Sequence, residues 1–320
     1  MNKAFSFGSD PEFMLKNGDN YVSAIDVVPG SITKRIEKEG HQFYWDNVLA
    51  ECAIKPSYSN EEMVENFRTC LRLYAEIVEP CYLVPQSSQE YPDHLLVDKR
   101  ARKAGCKFDN CVYLMKQMKG EDSARDAIKN GSLRTCGGHI HLGQSGGWLD
   151  GDGPEVAIAV YCMDLFLGIP SLFMDRDPTS AQRRRIYGQS GRFRNKPYGF
   201  EYRSLSNFWL ASPKVASLIY DVCEFIVDLT GSKKKWKKLW SFNEEYFYDL
   251  LADGKDGGDA FQSKLFEKMK LKDCIDNNDK KTAKNFLQIV EQQMPVELYK
   301  RLKTEMSKKT VYNLYKEWSL

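Results

Sequence analysis

The sequence predicts an α+β protein whose strands and helices are mixed over residues 1–231, followed by a helical appendage over 232–320. Short apolar runs broken by Gly, Asn, Asp and Pro are typical of strands, and longer segments with an apolar face at helical spacing are typical of packed helices. Both patterns occur before Gly231. After it, the lysine-rich run Lys233–Lys238 opens a stretch of short amphipathic segments, so we place a domain boundary at 231.

Strands are predicted mainly in the N-terminal half. The first four candidates are Phe5–Phe7, Phe13–Leu15, Phe43–Trp45 and Val48–Ala50. Two longer strands are expected at 133–143, ending in a glycine-rich turn over 143–153, and at 198–209. Residues 86–130 are polar, and we interpret them as a long excursion with one short helix.

Helices are predicted from capping residues and periodicity. A helix over 60–78 has Ser59 as its N-cap, and Glu62 follows three residues later, as in a capping box. The other predicted segments are an apolar helix over 154–167 stopped by Gly168 and Pro170, an arginine-rich loop over 176–197, and a helix from Ser212 to about Leu229.

The composition is that of a globular protein without a chain-wide charge bias. Hydrophobic residues make up 42% and charged residues 28%, and 46 Lys+Arg against 44 Asp+Glu give a net charge of +2. This excludes wholesale disorder and gives no chain-wide signal for nucleic acid or a membrane surface. No signal-peptide pattern and no apolar run of the ~18 residues that a membrane helix needs is visible, so we expect a cytoplasmic protein. The nine cysteines lack zinc-ligand spacing, and we expect buried free thiols.

Three predicted strand segments place polar residues two positions apart. They are Asp10-Pro11-Glu12, His139-Ile140-His141 and Glu201-Tyr202-Arg203. Side chains at i and i+2 of a strand point to the same face, so each segment presents a pair of charged or ligand-type groups to one side of a sheet. If the strands are neighbours, this shared face would repel itself unless divalent cations and a polyanionic ligand neutralise it.

Each pair also has a simpler interpretation. Asp10 fits ordinary turn chemistry, and a His-x-His pair is often only an exposed strand. The glycines on both sides of His139 and His141 indicate a close approach of backbone or ligand, which favours a site. A fourth acid is expected in the segment from Asp46 to Glu51. These two residues are an odd number of positions apart in the sequence, so their side chains cannot both point inward from one regular strand, and we choose Glu51.

Arginines concentrate between the two late strands. They are Arg176, Arg183, Arg184, Arg185, Arg192 and Arg194, with Arg203 beside Glu201 on the following strand. The planar guanidinium suits phosphate oxygens because it donates in parallel pairs. The chain has no P-loop or dinucleotide motif and no serine or cysteine nucleophile signature. Acids, imidazoles and arginines without a nucleophile favour metal-assisted phosphoryl chemistry.

The ordered motifs resemble those of a known superfamily. Gly8-Ser9-Asp10-Pro11-Glu12-Phe13 resembles the Gly-x-Glu-x-Glu-Phe opening of glutamate–cysteine ligases, with Asp for the first Glu, and the segment from Asp46 through Glu51 to Pro56 resembles their second acidic strand. Gly138-His139-Ile140-His141-Leu142-Gly143 is similar to their Gly-x-His-x-His-x-Gly motif, and Glu201-Tyr202-Arg203 to the Glu-x-Arg strand shared with glutamine synthetase. Over residues 8–207 the whole looks most like the phage-associated carboxylate–amine ligases of type 2.

This resemblance implies a curved antiparallel sheet backed by helices, whose concave face forms the cleft, and ATP-dependent amide formation by residues 1–231. A substrate carboxylate would take the γ-phosphoryl group, and an amine would then displace phosphate from the acyl phosphate. The implied roles are binding of two or more Mg²⁺ ions, or Mn²⁺ in their place, by Asp10, Glu12, Glu51, Glu201 and His139, contact of His141 with the nucleotide phosphates, and binding of the γ-phosphate and acyl phosphate by Arg183 or Arg185, Arg192 or Arg194, and Arg203.

Three alternatives stay open. A kinase on the same scaffold would stop after phosphoryl transfer and release a stable phosphorylated acceptor. A metal hydrolase using His139, His141 and Glu12 would act without ATP and prefer Zn²⁺ or Mn²⁺. A non-enzymatic protein could bind nucleic acid or a partner through Lys233–Lys238 and the arginines, although such a run is more often a solvated surface. The sequence identifies neither substrate, and it does not distinguish a monomer from a dimer.

Overall fold

Antiparallel sheets and packed helices form the fold, so the predicted α+β class is confirmed. The computed structural model describes residues 5–103, 109–113, 116–118, 130–144, 154–232 and 270–320. All but the first two residues of the predicted glycine-rich turn over 143–153, and the whole of Lys233–Lys238, lie outside the described residues.

The strands form two six-stranded sheets and one small sheet. The first sheet orders Ser6–Ser9 (β1), Ile140–Gly143 (β12), Gly199–Tyr202 (β14), Arg192–Lys196 (β13), Asp109–Cys111 (β9) and Lys116–Met118 (β10). The second orders Asn20–Val22 (β3), Glu12–Asn17 (β2), Leu49–Ala53 (β6), His41–Asp46 (β5) and Ile36–Lys38 (β4), and Tyr82–Val84 (β7) pairs with β2. Ser88–Glu90 (β8) and Leu133–Thr135 (β11) form the small sheet. Because β1 leads directly into β2, the chain passes from the first large sheet into the second at residues 10–11.

Helices supply most of the apolar core. The α-helices are Asn60–Val78, Pro154–Met163, Ile169–Met174, Ser180–Ile186, Pro213–Thr230, Lys280–Gln293, Val296–Ser307 and Leu314–Trp318, and residues 270–276 are also helical. Two predicted starts are confirmed. The Ser59 hydroxyl accepts from Glu62 N–H at 3.1 Å, and the Ser212 hydroxyl accepts from Val215 N–H at 3.3 Å. The eight described cysteines are free, and all except Cys81 are buried, as predicted.

The predicted helix over 154–167 is too short, because the chain stays helical to Met174. Residues 164–168 form a π turn, and Pro170 lies in the first turn of the helix that follows, where a missing N–H is tolerated. Among the described residues, Glu155–Met174 is the one helix long and apolar enough to cross a membrane, and 94% of its apolar window is buried inside the protein, as in a core helix.

The predicted single strand over 133–143 is wrong. The chain forms β11 and β12 there, with an irregular segment between them. At Gly138 the backbone passes so close to the neighbouring chain that a Cβ would lie 2.6 Å from the carbonyl oxygen of Ser206. This close approach draws the segment out of the strand, so His139 precedes β12 and His141 lies within it.

The predicted arginine-rich loop over 176–197 is also wrong, because it contains the helix Ser180–Ile186 and β13. The strand expected over 198–209 ends at Tyr202. The excursion over 86–130 holds three short strands and two 3-10 helices in its described part. Short polar segments gave little periodicity from which to predict these elements.

The described part of the C-terminal segment shares one hydrophobic cluster with the rest of the protein. Trp318 is 1% exposed, its ring centroid lies 6.2 Å from that of Phe67, and its indole N–H donates to the Leu210 carbonyl at 2.7 Å. The last helix therefore packs against the helix Asn60–Val78. The domain boundary at 231 stays a prediction.

Trp318→Ala is expected to lower the free energy of unfolding by about 3–5 kcal/mol, because it empties a fully buried aromatic site. Trp318→Phe keeps a ring there and should cost less, with the lost hydrogen bond contributing about 1 kcal/mol. Urea unfolding of both variants tests this. A cost below about 1 kcal/mol for Trp318→Ala would show that the last helix adds nothing to the core.

Candidate active site

A row of directly paired residues, three of them polar, crosses the first sheet. Its consecutive register partners are Gly8 on β1, His141 on β12, Glu201 on β14 and Arg194 on β13. Directly paired residues of neighbouring strands share a face. His141 and Glu201 therefore lie on one common face of the sheet, as their spacing predicted.

A second row crosses the other sheet. Glu12 on β2 lies opposite Glu51 on β6, and Glu51 lies opposite Tyr44 on β5. Asp46 is two residues from Tyr44 on the same strand and shares its face. The expectation that Asp46 and Glu51 cannot both face inward is wrong, because the chain reverses at Asn47, which has a φ of 49°, and the two acids lie on different strands.

Asp10 lies at the junction of the sheets and connects the two histidines. Its Oδ1 atom is 3.2 Å from His139 Nδ1 and 3.0 Å from His141 Nε2. Glu201 Oε1 is 3.7 Å from the same His139 nitrogen. One ligand atom each from Asp10, His139 and Glu201 can be chosen so that all lie within 4.8 Å of one another. These three residues form a compact set of potential metal ligands.

The glycines around His139 orient its ring. A Cβ at Gly137 would lie 2.2 Å from His139 Nε2, so only glycine leaves room for the imidazole there. The Ser9 hydroxyl donates to the His139 carbonyl at 2.6 Å and ties this irregular segment to β1. With Nε2 directed at Gly137, the other ring nitrogen faces Asp10. The flanking glycines thus have the close-approach role that the sequence indicated.

Glu201 is the most heavily paired acid of the site. It is 0% exposed, and the buried guanidinium of Arg203 donates to it. Lys196 Nζ lies 2.7 Å from Glu201 Oε2, and Arg194 Nη1 lies 3.7 Å from Oε1. Asp109 accepts from Arg194 at 2.7 Å and lies 3.2 Å from Arg203. Acids and cations therefore alternate across this part of the sheet.

Glu12 and Glu51 form a buried acid pair. Burial raises the pKa of Glu12 to about 7, with the Asp46 carboxylate adding to the rise, although Gly137 N–H donates to Glu12 at 2.6 Å. Burial, with Asp10, Glu12 and Asp46 nearby, raises the pKa of Glu51 well above its ordinary value, and the Tyr44 hydroxyl donates to Glu51 at 2.7 Å. A second positive charge here would relieve this repulsion.

Glu12 should make the stability of the metal-free protein fall with pH. Its ordinary pKa is 4.5 and its folded pKa is about 7, so folding takes up a proton between these values. The contribution is fully present below about pH 4.5 and is lost as the pH rises through about 7. One pKa unit corresponds to about 1.4 kcal/mol, so the change is on the order of 3 kcal/mol.

Chemical denaturation in a chelator, at a series of pH values, compares the wild type with Glu12→Gln. We expect the variant to have a shallower fall in unfolding free energy over this interval. Identical pH profiles for the two proteins would contradict the raised pKa of Glu12 in the folded protein.

Four further groups of the site have shifted pKa values. Burial alone would raise the pKa of Asp10, but the imidazoles of His141 and His139 outweigh it and lower that pKa well below its ordinary value. Burial also opposes ionisation of Glu201, yet its pKa is lowered, chiefly by Arg203. Burial and Arg203 lower the pKa of His139 to about 4, whereas Asp10 raises the pKa of His141 against the effect of burial. His139 is thus neutral near neutral pH.

The predicted arginines are divided between the site and its surroundings. Arg203 and Arg194 contact Glu201. Arg183 is buried and donates to the carbonyl oxygens of Ser204 and Arg203, Arg192 donates to Gln189, and Arg185 is exposed. Phosphate binding by Arg183, Arg185 or Arg192 stays a prediction, and backbone contacts explain the buried position of Arg183.

Four residues of the site were missed by the sequence analysis. They are Lys196, Asp109, Tyr44 and Tyr198. Strand alternation could have found Lys196, because it follows Arg194 by two residues. Asp109 is 85 residues from Arg194 in the chain, and only the pairing of β9 with β13 brings them together.

The donor set fits a divalent cation of the Mg²⁺ type. Carboxylate oxygens are the ligands that Mg²⁺ prefers, and Mn²⁺ also accepts an imidazole nitrogen. Asp10, His139 and Glu201 would form one group of ligands, and Glu12 with Glu51 a second. Neutral His139 can offer a lone pair, and the raised pKa values of the acid pair show that burial and repulsion there outweigh the nearby cations.

The chain belongs to a family of ligases. The model of the family described as phage phiEco32-like COOH.NH2 ligase-type 2 matches residues 131–294, just over half of the 320-residue chain. The family joins carboxylates to amines by its description, so the resemblance stated above is confirmed. The matched range contains His139, Glu201 and Arg203, starts after Asp10 and Glu51, and crosses the predicted boundary at 231.

A solved structure is also similar to this chain. It is the crystal structure of a bifunctional glutathione synthetase from Pasteurella multocida, with a TM-score of 0.38 and 12% sequence identity. The similarity covers 95% of this chain and 52% of that one, so this chain spans about half the length of that protein. No curated protein matches the sequence.

Proposed function

We propose that this protein forms an amide bond between a carboxylate and an amine, using ATP and Mg²⁺ and passing through an acyl phosphate. The observation that carries the proposal is the convergence of buried acids at the junction of two sheets, with Arg203, Arg194 and Lys196 beside them. Membership of a carboxylate–amine ligase family supports this direction of the chemistry.

The acids explain why a cation is required. Asp10, Glu12, Glu51, His139 and Glu201 would hold Mg²⁺ or Mn²⁺, which when bound would neutralise phosphate charge as a Lewis acid. Without a cation, ionised carboxylates at the site would repel an incoming triphosphate. We also propose that the concave face of a curved sheet forms the cleft, as the family resemblance implies.

The cations explain the phosphoryl step. Arg203, Arg194 and Lys196 are held by acids until a substrate arrives, and their N–H groups would then donate to the oxygens of the transferred phosphoryl group. His141 lies at the same face, and the Asp10 carboxylate favours its cationic form, which suits contact with the nucleotide phosphates.

The proposed reaction has two steps. The substrate carboxylate attacks the γ-phosphorus and ADP leaves, which gives an acyl phosphate. The amine then attacks the acyl carbon, phosphate departs with the bonding electron pair, and the amine nitrogen loses a proton. An acyl phosphate hydrolyses readily, so the buried walls around Glu201 and His139 would protect it from water.

Hydroxylamine trapping tests the proposal because hydroxylamine can replace whichever amine the protein uses. The protein is incubated with ATP, Mg²⁺, hydroxylamine and pooled carboxylic acids, and the products are analysed by mass spectrometry for hydroxamates and ADP. We expect a hydroxamate that requires both ATP and metal. Glu201→Gln should abolish it, whereas Glu65→Gln, an exposed partner of Arg68, should not.

The alternatives predict other products. A stable phosphorylated acceptor without hydroxamate would identify a kinase, and turnover without ATP would identify a hydrolase. The hydrolase hypothesis requires His139, His141 and Glu12 to act as one group, and the structure arranges them differently. Glu12 accepts from Gly137 N–H, and the described group of potential ligands contains Asp10 and Glu201 in place of Glu12 and His141.

A further inference from the structure

Tyr198 lies at the exposed rim of the site, in the turn between β13 and β14. Its hydroxyl is 2.6 Å from His141 Nδ1, and its ring lies beside the imidazole and nearly in its plane, with centroids 6.1 Å apart and an angle of 20° between the planes. Tyr198 is 43% exposed, so water could satisfy its hydroxyl. The contact with His141 is therefore not imposed by burial of the phenol.

The backbone holds Tyr198 against β12. Gln144 N–H donates to the Tyr198 carbonyl at 3.0 Å. The next residue, Gly199, has a φ of 149°, and a Cβ there would lie 2.1 Å from the Leu142 carbonyl oxygen. Only glycine permits this approach, so the turn holds the tyrosine hydroxyl at His141 Nδ1.

Tyr198 is the outer end of a chain of four polar groups. From its hydroxyl the contacts run to His141 Nδ1, from His141 Nε2 to Asp10 Oδ1 at 3.0 Å, and from that oxygen to His139 Nδ1 at 3.2 Å. The chain leads from the solvent-exposed rim to the buried ligand group. A change at Tyr198 can therefore affect Asp10 through the imidazole of His141 alone.

We propose that Tyr198 is a positioning residue, whose hydroxyl bonds to His141 Nδ1 and so fixes the ring with Nε2 beside Asp10. A neutral imidazole has one donor and one acceptor, so in the neutral ring the hydroxyl donates to Nδ1 and the ring proton lies on Nε2, 3.0 Å from Asp10 Oδ1. Held in this way, Asp10 keeps its remaining oxygen lone pairs for a cation. This role rests on the proposed function, because it serves the metal-binding site.

Tyr198→Phe tests the hydrogen bond directly. The variant keeps the aromatic ring and removes only the hydroxyl. The matched control is Tyr82→Phe, which removes a hydroxyl that donates to the Gly18 carbonyl at 2.7 Å, away from the site. The chain has four histidines, so ¹⁵N-histidine labelling resolves each imidazole.

In the metal-free protein, above the midpoint of the His141 titration, we expect the Nδ1 resonance of His141 to move toward that of an unbonded imine nitrogen in Tyr198→Phe and to stay unchanged in Tyr82→Phe. An unchanged resonance in Tyr198→Phe would overturn the proposal, whatever the protein's enzymatic activity.

The affinity for Mn²⁺ tests whether the positioning of Asp10 by His141 and Tyr198 matters for metal binding. Loss of a direct partner of a metal ligand typically weakens metal binding by about 10–100-fold. Tyr198 acts on the ligand Asp10 through His141, so we expect Tyr198→Phe to bind Mn²⁺ about 10-fold more weakly than the wild type and Tyr82→Phe, at the lower end of that range. Wild-type affinity in Tyr198→Phe would contradict the positioning role alone. Absence of Mn²⁺ binding to the wild type, with or without ATP, would instead contradict the proposed function.

Discussion

Glu201→Gln is expected to lower the free energy of unfolding by about 3–5 kcal/mol. Glu201 is fully buried, the buried Arg203 donates to it, and Lys196 lies 2.7 Å away. Removing one partner of a buried ion pair leaves an uncompensated charge, which is the costly case. Glutamine keeps the shape of the side chain and one acceptor oxygen, so the loss measures the missing charge. Urea denaturation of the metal-free protein at neutral pH gives the difference.

The matched control is Glu291→Gln, which makes the same chemical change in an exposed pair with Lys303 at 3.8 Å. Exposed pairs contribute about 0–1 kcal/mol, so this variant should stay within that range. A loss below about 1 kcal/mol for Glu201→Gln as well would mean that the cations around Glu201 do not depend on its charge.

Glu51→Gln is expected to leave the stability of the metal-free protein unchanged at neutral pH and still to weaken metal binding. Glu51 is buried near Asp10, Glu12 and Asp46, and its pKa is raised. Glutamine removes the repulsion and can still accept from the Tyr44 hydroxyl, so the metal-free variant should be as stable as the wild type at neutral pH and more stable at alkaline pH. We expect its Mn²⁺ affinity to fall by about 100-fold or more, because a direct ligand should matter at least as much as an outer partner.

Calorimetric titration with Mn²⁺ and urea denaturation in a chelator measure these two effects on the same preparation. A large loss of stability in metal-free Glu51→Gln would contradict the repulsion that burial imposes on this acid. Unchanged Mn²⁺ affinity would remove Glu51 from the ligand set.

The site was predictable where side-chain alternation along one strand determines it. Asp10 with Glu12 and Glu201 with Arg203 are spaced by two residues, and this spacing assigned each pair to the site, although Asp10 lies between β1 and β2 and Arg203 follows β14. His139 also lies outside its strand, β12, but Gly137 makes room for its ring, so it still reaches Asp10. The glycines indicated the close approach without indicating the break in the strand.

The rest depended on pairing between distant segments. Arg183 and Arg194 carry the same guanidinium, and only the fold shows that one donates to backbone carbonyls and the other contacts Glu201. Asp46 was set aside because a hairpin was treated as one strand, and the reversal at Asn47 brings it back to the acid pair. Cross-strand register decides these cases, and a single sequence does not specify it.

We infer that MgATP binds at the acids where the two sheets meet. Thermal unfolding of the wild type and of Glu12→Gln, each with Mg²⁺ alone, ATP alone and both together, shows whether these acids are needed for binding. Ligand at ~100 times its dissociation constant adds roughly 2.7 kcal/mol of stability. We predict that the wild type is stabilised by the combination well beyond either component alone, and that Glu12→Gln is not. No stabilisation of the wild type by saturating MgATP, or equal stabilisation of both proteins, would contradict the claim.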